Sequence, residues 1–243
     1  MEAIENMKLE DIAARNEVNP KNLQDFLETL KKSMEIAPSR ILVNENGKPQ
    51  YYIVELKGVG RIKTNFGYFW QYDFRIDDDW EKYSVLVKAR IDKSTFLPVF
   101  KNNEELVLRT DSGCETGQVF GDLTCECKEQ LELAMKNISD EGEGMIVHIP
   151  RQDGRGMGLP FKLATLWLQD EFGVNTVEAA SLLASGGDID VRTYSGVICI
   201  LKFFGISCDC HIKLATNNPQ KAKVFIENGY KLNGGHTQYM VLA

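Results

Sequence analysis

The hydrophobic period of this 243-residue chain changes at one place, and three cysteines mark it. Before them, from about residue 50 to 110, apolar residues alternate in the manner of strands, as in Y-Y-I-V-E-L, Y-F-W-Q-Y-D-F-R-I, Y-S-V-L-V-K-A-R-I and E-L-V-L-R-T. After them, Leu131, Met135 and Ile138 follow helical spacing, and the apolar strand G-M-I-V-H-I leads through a glycine-rich loop into a helix from about Phe161 to Phe172. A second alternation predicts a helix over Asp190 to Phe204, a strand I-K-L-A-T-N, and a helix over Pro219 to Gly229 that Asn218 caps. A strand-rich half feeding strands that alternate with helices predicts an α+β fold. Its core is a mixed sheet, antiparallel in the N-terminal half and α/β in the C-terminal half, with ligand sites at strand ends and helix starts.

Residues 1 to about 37 read as helix, with a turn and helix start at Asn19-Pro20 and with Leu23, Phe26, Leu27 and Leu30 at helical spacing. The rhythm is that of a helix-turn-helix, but Asp25 and Glu28 stand where phosphate-facing lysines are needed. Packing onto the main domain or a second subunit is therefore expected rather than DNA binding. From Ala37 to Lys48 the helical period is lost, with Pro38 and Asn46-Gly47 as punctuation. The chain is thus expected to divide into an N-terminal helical extension, residues 1–40, and a main domain, residues 41–243.

A net charge of -7 argues against a nucleic-acid or anionic-membrane surface, while leaving room for a small basic pocket. No apolar run approaches the roughly 18 to 20 residues of a membrane span, and the acidic N-terminus does not read as a signal peptide. A cytoplasmic location is expected, where clustered cysteines serve as metal ligands more often than as disulfides.

Cys114, Cys125 and Cys127 have the spacing C-x10-C-x-C. Three converging thiolates hold zinc with one tetrahedral position open, or close a structural site with a distant fourth ligand such as His148 or His211. Spacing alone leaves both readings open, and the polar rim of Arg109, Asp111, Ser112 and Gln130 favours the catalytic one. The loop from Arg151 to Gly158 offers glycines for close backbone approach and two arginines for phosphate oxygens. Asp190 and Arg192 are expected in the first turn of a helix, as a ligand-facing pair or as a cap with a solvated arginine. Thr216 to Lys221 joins a strand end to a helix start with hydroxyl, amide and ammonium donors. Cys199 reads as core. Cys208, Cys210 and His211 are too close together in the chain to wrap a tetrahedron by themselves.

These blocks, in this order, resemble the GTP cyclohydrolase II family over roughly residues 55 to 232. The resemblance implies zinc ligands at Cys114, Cys125 and Cys127, and nucleotide contacts from Arg109, Thr110, Asp111, Ser112, Gly113 and Gln130. It places the family's E-G-R loop on Asp153, Gly154 and Arg155, its substrate-contacting threonines on Thr176 and Thr216, and its lysine on Lys221. The D-x-R-x-[FY] signature falls on Asp190, implied as proton acceptor, on Arg192, implied to attack the α-phosphate, and on Tyr194. The activity implied is zinc-dependent opening of the guanine ring of GTP, with Mg2+ accompanying the nucleotide, formate and pyrophosphate leaving, and a homodimer as the assembly.

Two departures stand out. Asp153 replaces a glutamate, and Leu166 stands where the family carries an active-site tyrosine. They keep three alternatives in view: arrest at the ring-opened formamidopyrimidine, a different nucleobase-derived substrate, and a non-catalytic nucleotide-binding regulator.

Overall fold

The computed structural model describes residues 8–77, 82–101, 104–216 and 218–233. Two helices come first, α1 (Leu9–Arg15) and α2 (Pro20–Ser33). Asn19 caps α2 by accepting the Lys21 N–H at 2.9 Å, and Pro20, whose missing N–H costs nothing there, occupies the first helical position.

Strands β1 (Ser39–Glu45) and β2 (Lys48–Thr64) follow. They form a hairpin whose two turn residues, Asn46 and Gly47, both adopt positive φ, which matches the twist of antiparallel strands. The punctuated stretch after Ala37 is therefore largely strand, because its alternating apolar residues Ile41 and Val43 are buried in the core. The meander continues with β3 (Gly67–Ile76) and β4 (Lys82–Lys88), and a short ribbon pairs β5 (Arg90–Ile91) with β6 (Pro98–Val99).

Strand β7 (Glu105–Ser112) then departs from its sequence neighbours. The remaining elements are α3 (Cys127–Glu141), β8 (Gly144–Ile149), α4 (Leu159–Phe172), α5 (Thr176–Ala184), α6 (Ser195–Phe203), β9 (His211–Leu214), α7 (Pro219–Glu227) and β10 (Lys231–Leu232). The eight-stranded sheet runs β1-β2-β3-β4-β8-β7-β9-β10. It is antiparallel from β1 through the β4–β8 pair and parallel from β8 onward. The expected mixed α+β sheet is present, with one adjustment. E-L-V-L-R-T belongs to the parallel part, and its near-continuous burial is that of a strand covered on both faces.

On one face, α6 and α7 lay Val197, Ile198, Leu201 and Phe225 against Leu56, Phe74, Val85, Leu108 and Val147. On the other, α3 contributes Ala134, Met135 and Ile138 against Phe69, Val107 and Ile146.

Two helical expectations change. The helix expected from Asp190 begins at Ser195, because the Val191 N–H is drawn to the Arg155 carbonyl and the Arg192 N–H to the Asp190 carboxylate. Helix α5, which the periodicity did not announce, is closed by a capping box between Asn175 and Glu178.

Candidate active site

The carboxyl ends of β7 and β8 lie side by side, with Ser112 opposite Ile149, and both strands run directly into the two glycine-containing loops. Gly113 allows this closeness: a Cβ there would stand 2.8 Å from the Ile149 carbonyl oxygen.

After Cys114 the chain makes one wide helical turn, Glu115–Val119, and returns so that Cys127 starts α3. The sulfurs of Cys114, Cys125 and Cys127 all lie within 4.8 Å of one another, and Cys114 and Cys125 approach to 3.5 Å. Hydrogen bonds from the other two thiols hold Cys114 well below the ordinary thiol range, while Cys125 and Cys127 are pushed up as its donors. Gly117 is part of this geometry, since a Cβ there would sit 2.8 Å from the Cys125 sulfur. The cluster is one that could hold a metal ion. Neither His148 nor His211 belongs to it. His148 is turned to Asp111, and His211 opens β9 opposite Glu105.

Asp111, with no exposed surface, is the hub beneath the sulfurs. Its Oδ1 accepts from Arg109 Nε at 3.1 Å and Nη2 at 3.0 Å, and its Oδ2 lies 2.8 Å from His148 Nδ1. Gln118 Nε2 also donates to that oxygen at 2.9 Å, while Gln118 Oε1 accepts the Cys114 N–H at 3.1 Å. Burial alone would raise the Asp111 carboxyl, but His148, Arg109 and Gln118 together hold it down to about 2. Arg109 reaches on to Gln130 Oε1 at 3.2 Å. Gln118 was not singled out by sequence. Its only signal was its position inside the loop joining the cysteines.

A cavity of about 120 Å³ opens beside the sulfurs. Cys114, Cys127 and Ser112 form one wall, and Gln152, Asp153, Gly154, Arg155, Thr176 and Arg192 form much of the rest. Helix α4 presents Phe161, Lys162 and Thr165, none of which sequence reasoning had marked, and Lys162 Nζ lies 3.7 Å from the Cys125 sulfur. Gly154 and Arg155 both have positive φ in a tight turn over Asp153–Gly156. Gly156 lets this turn touch the next segment, where a Cβ would meet Arg192 Cγ at 3.0 Å.

Arg192 clasps Asp190, with Nε donating to Oδ1 at 2.8 Å and Nη2 donating to Oδ2. Burial works against both charges, yet the pairing wins: the Asp190 carboxyl is held below its usual range and the Arg192 guanidinium above its own. Arg192 also lines a neighbouring cavity of about 220 Å³ with Asp190, Tyr194 and Lys223.

Other predicted residues face inward. Lys221 Nζ donates to the Thr110 carbonyl at 2.7 Å, and burial, reinforced by Arg109, pulls its ammonium down to about 7. Thr216 is buried and its Oγ1 accepts the Asn218 N–H at 3.1 Å.

Three cysteine sulfurs and two arginine-bearing loops, gathered at the carboxyl ends of parallel strands, define an enzyme site of the α/β layout. The family model for GTP cyclohydrolase II matches residues 57–234. A GTP cyclohydrolase-2 of Picrophilus torridus is 34% identical over 180 residues, 74% of this chain and 85% of that protein. A GTP cyclohydrolase-2 of Shewanella sediminis is 34% identical over 172 residues, 71% of this chain and 76% of that protein. The chain also matches 30% of the length of the monofunctional riboflavin biosynthesis protein RIBA 3 of Arabidopsis thaliana, at 37% identity over 70% of this chain. The chain belongs to the GTP cyclohydrolase II family and is a hydrolase of that type.

Proposed function

We propose that this protein opens the imidazole ring of the guanine in GTP, or in a closely related purine nucleotide, by hydrolysis with release of formate, as a step of riboflavin formation. One observation carries the reading: Cys114 and Cys127 of the three-sulfur cluster line a cavity of about 120 Å³ together with the cationic side chains Arg155 and Arg192.

Zinc is the ion proposed for the sulfurs. At a Zn–S distance of about 2.3 Å a tetrahedral ion needs sulfurs ~3.8 Å apart, close to the separation of Cys114 and Cys125. The donor set is soft, and Gly117 leaves no side chain in the way. Bound there, the ion supplies Lewis acidity toward water at neutral pH.

The protein's own groups do the rest. Cys127 stands at the first position of α3, which fixes its sulfur beside those of Cys114 and Cys125. Arg155, Arg192 and Lys221 are the cations for the nucleotide's phosphates, with Mg2+ accompanying them. Asp190, ionised and held by Arg192, is the proton acceptor. Arg192 is itself a fully charged, paired guanidinium, which favours a charge-holding role over attack on phosphorus. Loss of pyrophosphate is proposed to follow in the same site.

A second reading, arrest at the formamidopyrimidine, is favoured by helix α4. Leu166 carries no hydroxyl, and the nearby Thr165 hydroxyl is engaged by the Lys162 carbonyl at 2.7 Å.

No helix among the described residues is long and apolar enough to cross a membrane. The proposed homodimer has an apolar face available on α4 and α5, where Trp167, Phe172 and Leu182 are exposed. The test is incubation of zinc-loaded protein with GTP and magnesium, with assay of formate, pyrophosphate and the pyrimidine product. Formate with the fully deformylated pyrimidine is expected, and unchanged GTP sinks the reading.

A further inference from the structure

The resemblance puts Asp153 first in the E-G-R loop, where the family has glutamate, and the structure gives its carboxylate a bond within the protein. Its Oδ1 accepts the Glu115 N–H at 2.9 Å, which fastens the arginine-bearing loop to the turn between the cysteines. The residue before it is placed differently. Gln152 is 8% exposed and lines the cavity that also contains Cys114 and Cys127. Its Oε1 is fully buried and has no hydrogen-bond partner among the described residues.

A buried amide oxygen without a donor is destabilising, by roughly 1–3 kcal/mol in protein interiors. Such a group persists where a ligand supplies the missing donor. A side-chain amide carries an acceptor and a donor next to each other. Its complement is an edge with an N–H beside a C=O, the arrangement of a 6-oxopurine at N1 and O6.

We infer that Gln152 is the specificity-determining residue for the base, its amide pairing with the N–H and C=O edge of a 6-oxopurine while Asp153 holds the loop in place. This rests on the nucleotide-hydrolase reading of the cavity and adds which side chain reads the ring. With Oε1 kept in its observed orientation and facing N1, the purines accepted are those with an N1–H, guanine and hypoxanthine; adenine sets a ring acceptor against that oxygen, pairs only if the amide turns over, and is bound more weakly.

Gln152→Met keeps the length of the side chain and removes both polar atoms. Calorimetric titration of the full-length, zinc-loaded wild type and variant with GTP, ITP, ATP and inorganic tripolyphosphate separates base from phosphate binding. The wild type is expected to bind GTP and ITP more tightly than ATP. The variant is expected to lose about tenfold for GTP and ITP, the equivalent of one or two hydrogen bonds, with tripolyphosphate affinity and zinc content unchanged. An unchanged GTP affinity in the variant overturns the inference, as does an equal loss for tripolyphosphate. Formate release is followed on the same samples. A wild type that releases none, beside a variant that selectively loses GTP and ITP, removes the hydrolytic reading and leaves the assignment of Gln152 standing.

Discussion

Asp111 shows how a single buried carboxylate can organise a site from below. It has no exposed surface, and its partner Arg109 is nearly as buried. Removing one member of such a pair leaves an uncompensated interior charge, which costs about 3–5 kcal/mol. Asp111→Asn is therefore expected to lower unfolding stability by that amount at neutral pH, measured by denaturant titration. The pH dependence has a definite sign. The Asp111 carboxyl is held at about 2, below its unfolded value near 3.9, so its contribution is complete above the unfolded value and is lost as pH falls through 2. The variant should lack that part of the acid transition. In the sequence, Arg109, Asp111 and Gln130 were legible as a polar group around the cysteines. That they bond to one another and to His148 and Gln118 was not, because those partners come from another strand and another turn.

The turns that carry the site depend on glycines for two separable reasons, and two substitutions distinguish them. Gly117→Ala would place a methyl 2.8 Å from the Cys125 sulfur, so retention of the proposed zinc, measured after loading and dialysis, is expected to fall well below that of the wild type. Gly156 has φ 88°, and a Cβ there presses on Arg192 at 3.0 Å. Gly156→Ala should cost about 1 kcal/mol of backbone strain and lower turnover at least tenfold by shifting Arg192, with zinc content unchanged. The glycine-rich loop was visible in the sequence as a place of close approach. Its neighbour in that approach, the segment Asp190 to Tyr194, was misread as helix because helical spacing in the following residues extends backward over it. The Val191 N–H bond to Arg155, which decides the matter, joins residues far apart in the chain.

Hairpin β1–β2 begins outside the part of the chain that matches the family model, yet it braces the far side of the site. Glu45 Oε1 accepts from Ser195 Oγ at 2.8 Å and Oε2 accepts from Tyr52 at 2.7 Å, while Asn44 and Asn228 exchange bonds between β1 and the end of α7. Glu45→Ala is expected to lower stability by about 2 kcal/mol, read from the thermal midpoint, while zinc content is retained. Taken by itself, the sequence determined the period of most elements, the α+β class, the three cysteines as a candidate ligand set and the two arginine loops, because periodicity, glycine and ligand spacing are local properties of the chain. Only the tertiary structure decided that β7 inserts between β8 and β9, that Lys221 and Thr216 turn inward, and that Gln152, in the cavity wall, keeps a buried amide oxygen without a partner among the described residues while Asp153 Oδ1 is bonded to the Glu115 N–H. Those outcomes depend on which strands pair and on which buried polar groups find partners, and such choices are settled by contacts between residues that the sequence keeps far apart.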